Sequence, residues 1–473
     1  MSWIESYSVK QSADRHFYLV FILALFTTLF PSRALGYVIP FICLAFFIVK
    51  SRSGKTFARA VILVLLYILV VSFYWALYKY EGVDFFVSNA IVSFFTYGSI
   101  IYLLVEKDSF VSPNYSYLKY AKILRYVLLI EGIVGTTQFV LVSATGRFDI
   151  LPGDAVQGTI GLFAFISGNP GFGNQMFAIN MVFFLVFFSP YLLIYRKGIV
   201  PFLIGLLSLM MAGVLHVFIA LLFSLLLTLF FFRSNLLFSN IGKLIGAVFL
   251  VGLLILPLQI IFPEFSRTAS VFLALYQDLD SPKFRIVERT VGDMPDEYPF
   301  VNLVGLGPGQ YLSRAGLISS GDYTERPLPF LANTTSEPLR KYGFQTWDSY
   351  ASNTDRYGGS TMHRPYFSSL SLYAEFGLLF LLLLFVYLIA LILKMRRLYL
   401  ANRRKGDDLS SYISFALGLL LLFLFSISFF DNYLETTQAI FPGLLLMSAF
   451  RRSLKVGIPL IEKPTNPVSK SYK

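Results

Sequence analysis

Several residues along this chain have the types and spacing to handle an anionic substrate. Arg285 and Arg289 lie in a stretch of helical spacing, 283–292, which puts both guanidiniums on one face. Two such groups suit an oxyanion with several acceptors, such as a diphosphate, which Arg grips bidentately. The same spacing serves pairing with Glu288 and nearby aspartates, or contact with lipid headgroups, and the residues leave these readings open. Further on, Gly305-Leu-Gly307-Pro-Gly309-Gln-Tyr311 follows a short apolar piece. Its glycines permit positive φ and close approach of a backbone or a ligand. No Gly-Lys-Ser/Thr follows, so it is not a P-loop.

Proton-transfer candidates are few. Glu131 and Glu375 lie within apolar runs, where an ionisable group is costly and marks function by default. His216 stands just after a predicted hairpin turn, either as a structural hydrogen-bonding residue or as part of a site. His363 and Arg364 close a long polar interval. In a shorter polar segment, Arg147 precedes Ser167-Gly-Asn-Pro-Gly-Phe-Gly-Asn-Gln175, which leads into an apolar run. A helix start of that kind attracts phosphate, or it is an ordinary capping turn. Three His and one Cys, Cys43, spread along the chain exclude an intrachain disulfide and argue against a His/Cys zinc site.

These residues are embedded in an apolar chain. Hydrophobic residues make up 56% of it and charged ones 14%, against about 25% in soluble domains, so it reads as an integral membrane protein. Apolar runs at 17–31, 36–49, 58–78, 85–105, 123–144, 175–195, 199–213, 214–232, 241–262, 365–394, 410–430 and 433–450 predict twelve spans. The run 199–232 would be about 51 Å long as one helix, too long for a single crossing, so a tight turn is expected near Gly213. Basic residues gather on alternate loops, for example Lys50, Arg52, Lys55 and Arg59, and again from Lys394 to Lys405. The short loops opposite hold only Arg33, Lys79 and Arg147. Positive charge on the cytoplasmic side then puts both termini inside and the polar segments 145–174 and 263–363 outside. The first apolar run has no small-residue cleavage site after it and reads as a retained helix.

The expected organisation is therefore all-α. Residues 1–262 form nine spans with the short external loop, 263–363 the large external loop, 364–450 three more spans, and 451–473 a cytoplasmic tail. Within the large loop, 264–278 has the spacing of an amphipathic interfacial helix.

The order of these features resembles the bacterial O-antigen ligase and polysaccharide polymerase superfamily. The resemblance covers roughly residues 145–390 and is most specific in Gly305-Leu-Gly-Pro-Gly309 and Glu375-Phe-Gly377, at the two ends of the loop. It implies a GT-C-like glycosyltransferase of the bacterial inner membrane that takes a polyprenyl-diphosphate-linked glycan as donor. It further implies no cofactor, no metal, no nucleotide and no nucleic acid, and it brings a chain-length regulator as a possible partner. Arg147 and Arg285 match the family's arginines and are expected to bind phosphate or anionic glycan, with Arg289 and the glycines beside them.

Two departures stand out. Where ligases of the family carry a histidine nine residues before the Glu of Glu-x-Gly, this chain has Tyr366; Leu215-His216 falls near the place of the family's Ser-Arg pair. Loss of that histidine favours a polymerase that joins repeat units over a ligase that transfers glycan to lipid A–core. The general base stays open among His363, His216 and Glu375, with Tyr366 a further candidate hydroxyl. A flippase or secondary transporter is the rival of another class, although no repeated halves are visible. A receptor that uses the loop only for protein contact fits its many arginines less well.

Overall fold

The computed structural model describes residues 22, 33–51, 54–105, 117–146, 152–160, 162, 173–239, 280–321, 333–351 and 366–454. All regular structure among them is helical. The first part holds α1 (Arg33–Ser51), α2 (Gly54–Glu81), α3 (Val87–Thr96), α4 (Gly98–Val105), α5 (Tyr117–Thr145), α6 (Pro152–Ala155), α7 (Asn174–Tyr195), α8 (Ile199–Met211) and α9 (Leu215–Ser239). A subdomain of short helices follows: α10 (Pro282–Glu288), α11 (Met294–Glu297), α12 (Val301–Val304), α13 (Arg314–Ser320) and α14 (Gln345–Ala351). The chain then returns to the bundle as α15 (Ser368–Arg404), α16 (Asp408–Ile427) and α17 (Thr437–Ser453).

Six of the described helices, α2, α5, α7, α9, α15 and α16, are long and apolar enough to cross a membrane. The pair α3 and α4, bent by 63° at Tyr97, makes a seventh candidate if it is one span. Residues 36–49 and α8 are shorter apolar helices. The expected spans 17–31 and 241–262, and the expected interfacial helix 264–278, lie outside the described residues. Helices of this number and length are what a multi-pass membrane protein requires.

The turn expected near Gly213 is present, with α8 ending at Met211, α9 starting at Leu215, and Gly213 at φ 65°. The helical piece expected at 283–292 is also present, as α10 continuing into a π-helical turn, Arg289–Asp293.

Burial follows composition. Helix α7 is apolar around its whole circumference, and it occupies the centre, packed against α5, α8, α16 and α17. By contrast α2 leaves Leu65, Leu69 and Phe73 exposed, and α15 leaves Leu379, Leu383 and Val386 exposed. Faces of that kind suit acyl chains and would be an aggregation hazard in water.

The subdomain has its own core of Ile286, Met294, Tyr298, Val301, Tyr311, Leu317 and Leu339. Tyr78 of α2 and Leu370 of α15 complete it, so the subdomain and the bundle share one packed layer. Gln310 fastens the joint: its side chain accepts from the Phe86 N–H at 3.2 Å and donates to the Phe86 carbonyl at 2.9 Å.

Candidate functional site

Two helical stretches of the bundle are interrupted beneath the subdomain: α3 and α4 part at Tyr97, and α15 is broken at Gly377, with φ 78° and ψ 173°. Residues 428–436, which join the separate helices α16 and α17, lie nearby. An interrupted helix leaves carbonyls without partners at the end of its first piece. In α15 the subdomain supplies the donors. Leu306 N–H donates to the Ala374 carbonyl at 2.7 Å, and Gly307 N–H to the Glu375 carbonyl at 2.8 Å.

The glycines make this crossing possible. A Cβ on Gly305 would lie 2.3 Å from the Glu375 carbonyl carbon, and one on Gly377 would lie 2.3 Å from the Leu303 oxygen. The two segments cross backbone to backbone, closer than any side chain permits. Gly309 rests on the Asn89 backbone and Gly307 on the Tyr74 and Phe85 rings. The glycine motif thus packs against the protein itself. Its neighbours include Ala374, Glu375, Phe376, Asn89, Tyr74 and Phe85.

Glu375 completes the knot. Its carboxylate accepts from the Gly309 N–H at 2.8 Å and the Tyr311 N–H at 3.1 Å, with the Ser313 N–H and hydroxyl close by. It is fully buried. The two motifs the sequence singled out at the ends of the loop are therefore one structural unit.

A second buried carboxylate, Glu435, stands in the 3-10 turn Tyr433–Glu435 between α16 and α17. Its Oε2 accepts the Arg314 N–H, and its charge is within electrostatic range of both Glu375 and the Arg314 side chain. Arg314 is itself 4% exposed, and its Nε donates to the Tyr37 hydroxyl at 3.2 Å. Tyr97, at the break between α3 and α4, is half-buried with its hydroxyl enclosed beside Glu435, and its ring meets Phe376 edge-on. Arg314, Glu435 and Tyr97 were not singled out from the sequence. Their partners come from elements far apart in the chain, and no local spacing announces them.

On the other side of the 428–436 segment sits a buried amine. Lys283 Nζ donates to the Phe430 carbonyl at 2.6 Å and lies 5.9 Å from the Phe367 ring centre. Burial pushes its pKa down to about 8, with Asp431 opposing the shift. His216 stacks on the Phe430 and Tyr433 rings, and its Nε2 is 2.6 Å from the Tyr433 hydroxyl. It therefore belongs to this neighbouring cluster, two residues along the turn from Glu435.

The remaining expected residues are dispersed. Arg285 is 43% exposed and pairs with Asp280 and with Glu288, so the surface-pairing alternative is the one seen. Those two carboxylates raise its pKa further. Arg289 donates to the Thr346 hydroxyl at 2.7 Å, lies over the Tyr342 ring and is 3.9 Å from Asp293. Tyr366 is buried in the subdomain core with Leu370 and Ala374. Arg147 and His363 lie outside the described residues.

Glu131, in α5, also holds a loop in place. It accepts from the Thr159 N–H at 2.8 Å and from the Thr159 hydroxyl, while Gln138 binds both Gln157 and Gly158. Among the described residues no three His, Cys, Asp or Glu side chains gather as metal ligands do.

The described residues form a helical chain with six or seven helices able to cross a membrane, as in a multi-pass membrane protein, and a polar centre buried near the breaks at Tyr97 and Gly377. No protein-family model, no curated protein and no solved structure matches it.

Proposed function

We propose that this chain is a glycosyltransferase of the bacterial inner membrane that joins polyprenyl-diphosphate-linked oligosaccharide units into a longer polysaccharide. It would cross the membrane twelve times, with both termini in the cytoplasm and the subdomain outside. The observation that carries this reading is the buried guanidinium of Arg314 beside the buried carboxylate of Glu435, under an ordered polar subdomain. Glycosyl transfer from a lipid diphosphate needs a fixed cation for the leaving group and a carboxylate near the attacking hydroxyl. A dry setting strengthens both interactions.

Arg314 takes the diphosphate-binding role that the sequence offered to Arg285, whose guanidinium is held at the surface by two carboxylates. Arg289 and the exposed edge of the subdomain remain available for anionic parts of the glycan. The test is purified protein in liposomes given lipid-linked repeat units and no other enzyme. A ladder of polymer supports the proposal; growth only on lipid A–core makes the protein a ligase.

A secondary transporter is the second reading, favoured by the breaks at Tyr97 and Gly377. Interrupted helices with buried ionisable groups also build ion-coupled carriers. Movement of lipid-linked oligosaccharide across the liposome without polymer would establish it.

A further inference from the structure

Helix α2 carries its own depth scale. Arg59 and Lys79 bracket nineteen residues, 60–78, that hold no charge. As helix this stretch is about 28 Å long, which matches a hydrocarbon core of about 30 Å. Just beyond it, Lys79 lies over the Trp75 ring and Tyr80 is 86% exposed, residue types that anchor a helix at the membrane–water boundary. The subdomain meets α2 inside that boundary. Phe300 packs edge-on against Tyr78, the last residue of the uncharged stretch. One turn further in, the Tyr74 hydroxyl donates to the Val304 carbonyl, and Gly307 rests on the Tyr74 ring. From Phe300 to Gly307 the chain therefore descends by about 6 Å along α2. It then turns back, with Gly309 on Asn89 and Gln310 bonded to Phe86, at the start of α3.

Helix α15 gives the same depth. The Leu303 carbonyl abuts Gly377, and the exposed apolar run of α15 begins at the next residue with Leu378 and Leu379. At the same level α2 exposes Phe73 and Trp75. Leu303 itself is 66% exposed, so it continues an apolar surface that two helices of spanning length already present.

We propose that residues 300–311 form a re-entrant element seated in the leaflet on the subdomain's side, with Leu303 against the acyl chains. Irregular backbone at that depth is tolerated only where the protein itself satisfies its polar groups. The bonding of the turn meets this condition. The Leu306 and Gly307 N–H groups go to α15 carbonyls, and those of Gly309 and Tyr311 go to the Glu375 carboxylate. The segment 263–363 then does not lie wholly outside the membrane, because its glycine turn dips into it. On the glycosyl-transfer reading, the junction stands just beneath the headgroups, at the depth of a lipid donor's diphosphate. That consequence rests on the reading; the depth of Leu303 does not.

The test uses full-length protein in liposomes, with a nitroxide attached to Leu303→Cys. Tyr80→Cys serves as the boundary reference, Leu383→Cys as the deep reference, and the unsubstituted chain as the blank for the buried Cys43. Spin relaxation is compared for oxygen, which concentrates among acyl chains, and for a water-soluble nickel chelate present on both sides. The ratio of oxygen to nickel effect at Leu303 is expected to exceed that at Tyr80 severalfold and to approach that at Leu383. A water-soluble maleimide is expected to modify Tyr80→Cys and to spare Leu303→Cys. Nickel relaxation at Leu303 as strong as at Tyr80 overturns the proposal, since the turn then lies in water. Weak relaxation by both reagents also overturns it, since protein and not lipid then covers Leu303. If the oxygen result stands while lipid-linked repeat units are not polymerised, the glycosyl-transfer reading fails and the re-entrant element remains.

Discussion

Glu375 Oε2 lies 2.8 Å from the backbone nitrogen of Gly309, 66 residues earlier in the chain. This contact ties the start of the subdomain's glycine turn to a helix of the bundle. It makes the carboxylate a structural clamp, because both of its oxygens serve N–H groups that would otherwise be buried without acceptors.

The crossing of Gly305 over Glu375 should not tolerate a side chain. Gly305→Ala adds a methyl 2.3 Å from the Glu375 carbonyl carbon at a φ of +80°, and it should destabilise the protein by several kcal/mol, on the order of the largest single-site effects. Gly292→Ala, where a Cβ meets nothing within 4 Å, is the matched control. Thermal unfolding in detergent reads the difference, and equal melting temperatures would contradict the knot.

Gln310 is expected to act as the fastener of the subdomain. Gln310→Leu leaves the part-buried Phe86 N–H without its partner, while the Phe86 carbonyl keeps the Asn89 and Ala90 N–H groups, and should cost about 1 kcal/mol. Limited proteolysis within 280–351 should accelerate. An unchanged digestion rate would show that the shared apolar core alone holds the two parts together.

Lys283 should leave a signature in the pH dependence of stability. Its pKa falls from the ordinary 10.5 to about 8 in the folded protein. Between those values the unfolded chain holds more protons than the folded one, so this group's contribution to stability rises with pH from about 8 to 10.5. Below pH 8 the cost of burying the charge is fully present. Lys283→Met removes the titration, so wild type should gain stability relative to the variant across that window. A gap that stays constant with pH contradicts the buried-amine account.

Arg314 and Arg285 should differ sharply. Arg314→Lys loses the planar, fixed geometry of a buried guanidinium and should reduce polymer formation by about tenfold or more, since the two residues are not interchangeable at such sites. Arg285→Ala removes exposed, solvent-screened ion pairs and should leave both stability and polymer length close to wild type. Polymer yield per folded protein checks both variants. The reverse ranking would return the diphosphate role to Arg285.

Much of the helical framework was legible in the sequence because it rests on local patterns. The runs 58–78, 123–144 and 175–195 fall inside α2, α5 and α7, and the 34-residue run divides at Gly213 as its length demanded. Breaks inside spans were less legible. The run 85–105 is apolar throughout, so hydropathy passes over the bend at Tyr97, and Gly377 looks like any glycine within a long helix. The candidate site was the least visible part. Glu375 and the glycine motif drew attention separately, yet their pairing with each other depends on contacts 64 and 66 residues apart. Glu435 meets the Arg314 backbone across 121 residues, and nothing near it in sequence sets it apart from an acidic residue at the edge of a span. A cue existed in the Tyr97-Gly98 pair, where a glycine follows a polar aromatic inside an apolar run.

The central claim is that this chain makes glycosidic bonds at the expense of a lipid diphosphate. The measurement that tests it most directly follows, in liposomes holding only the purified protein and lipid-linked repeat units, the release of polyprenyl diphosphate together with the growth of polymer. The account predicts one lipid diphosphate released for each repeat unit added, with Arg314→Lys slowing both together. Lipid-linked units that remain intact, whether stationary or moved to the other leaflet, would contradict it.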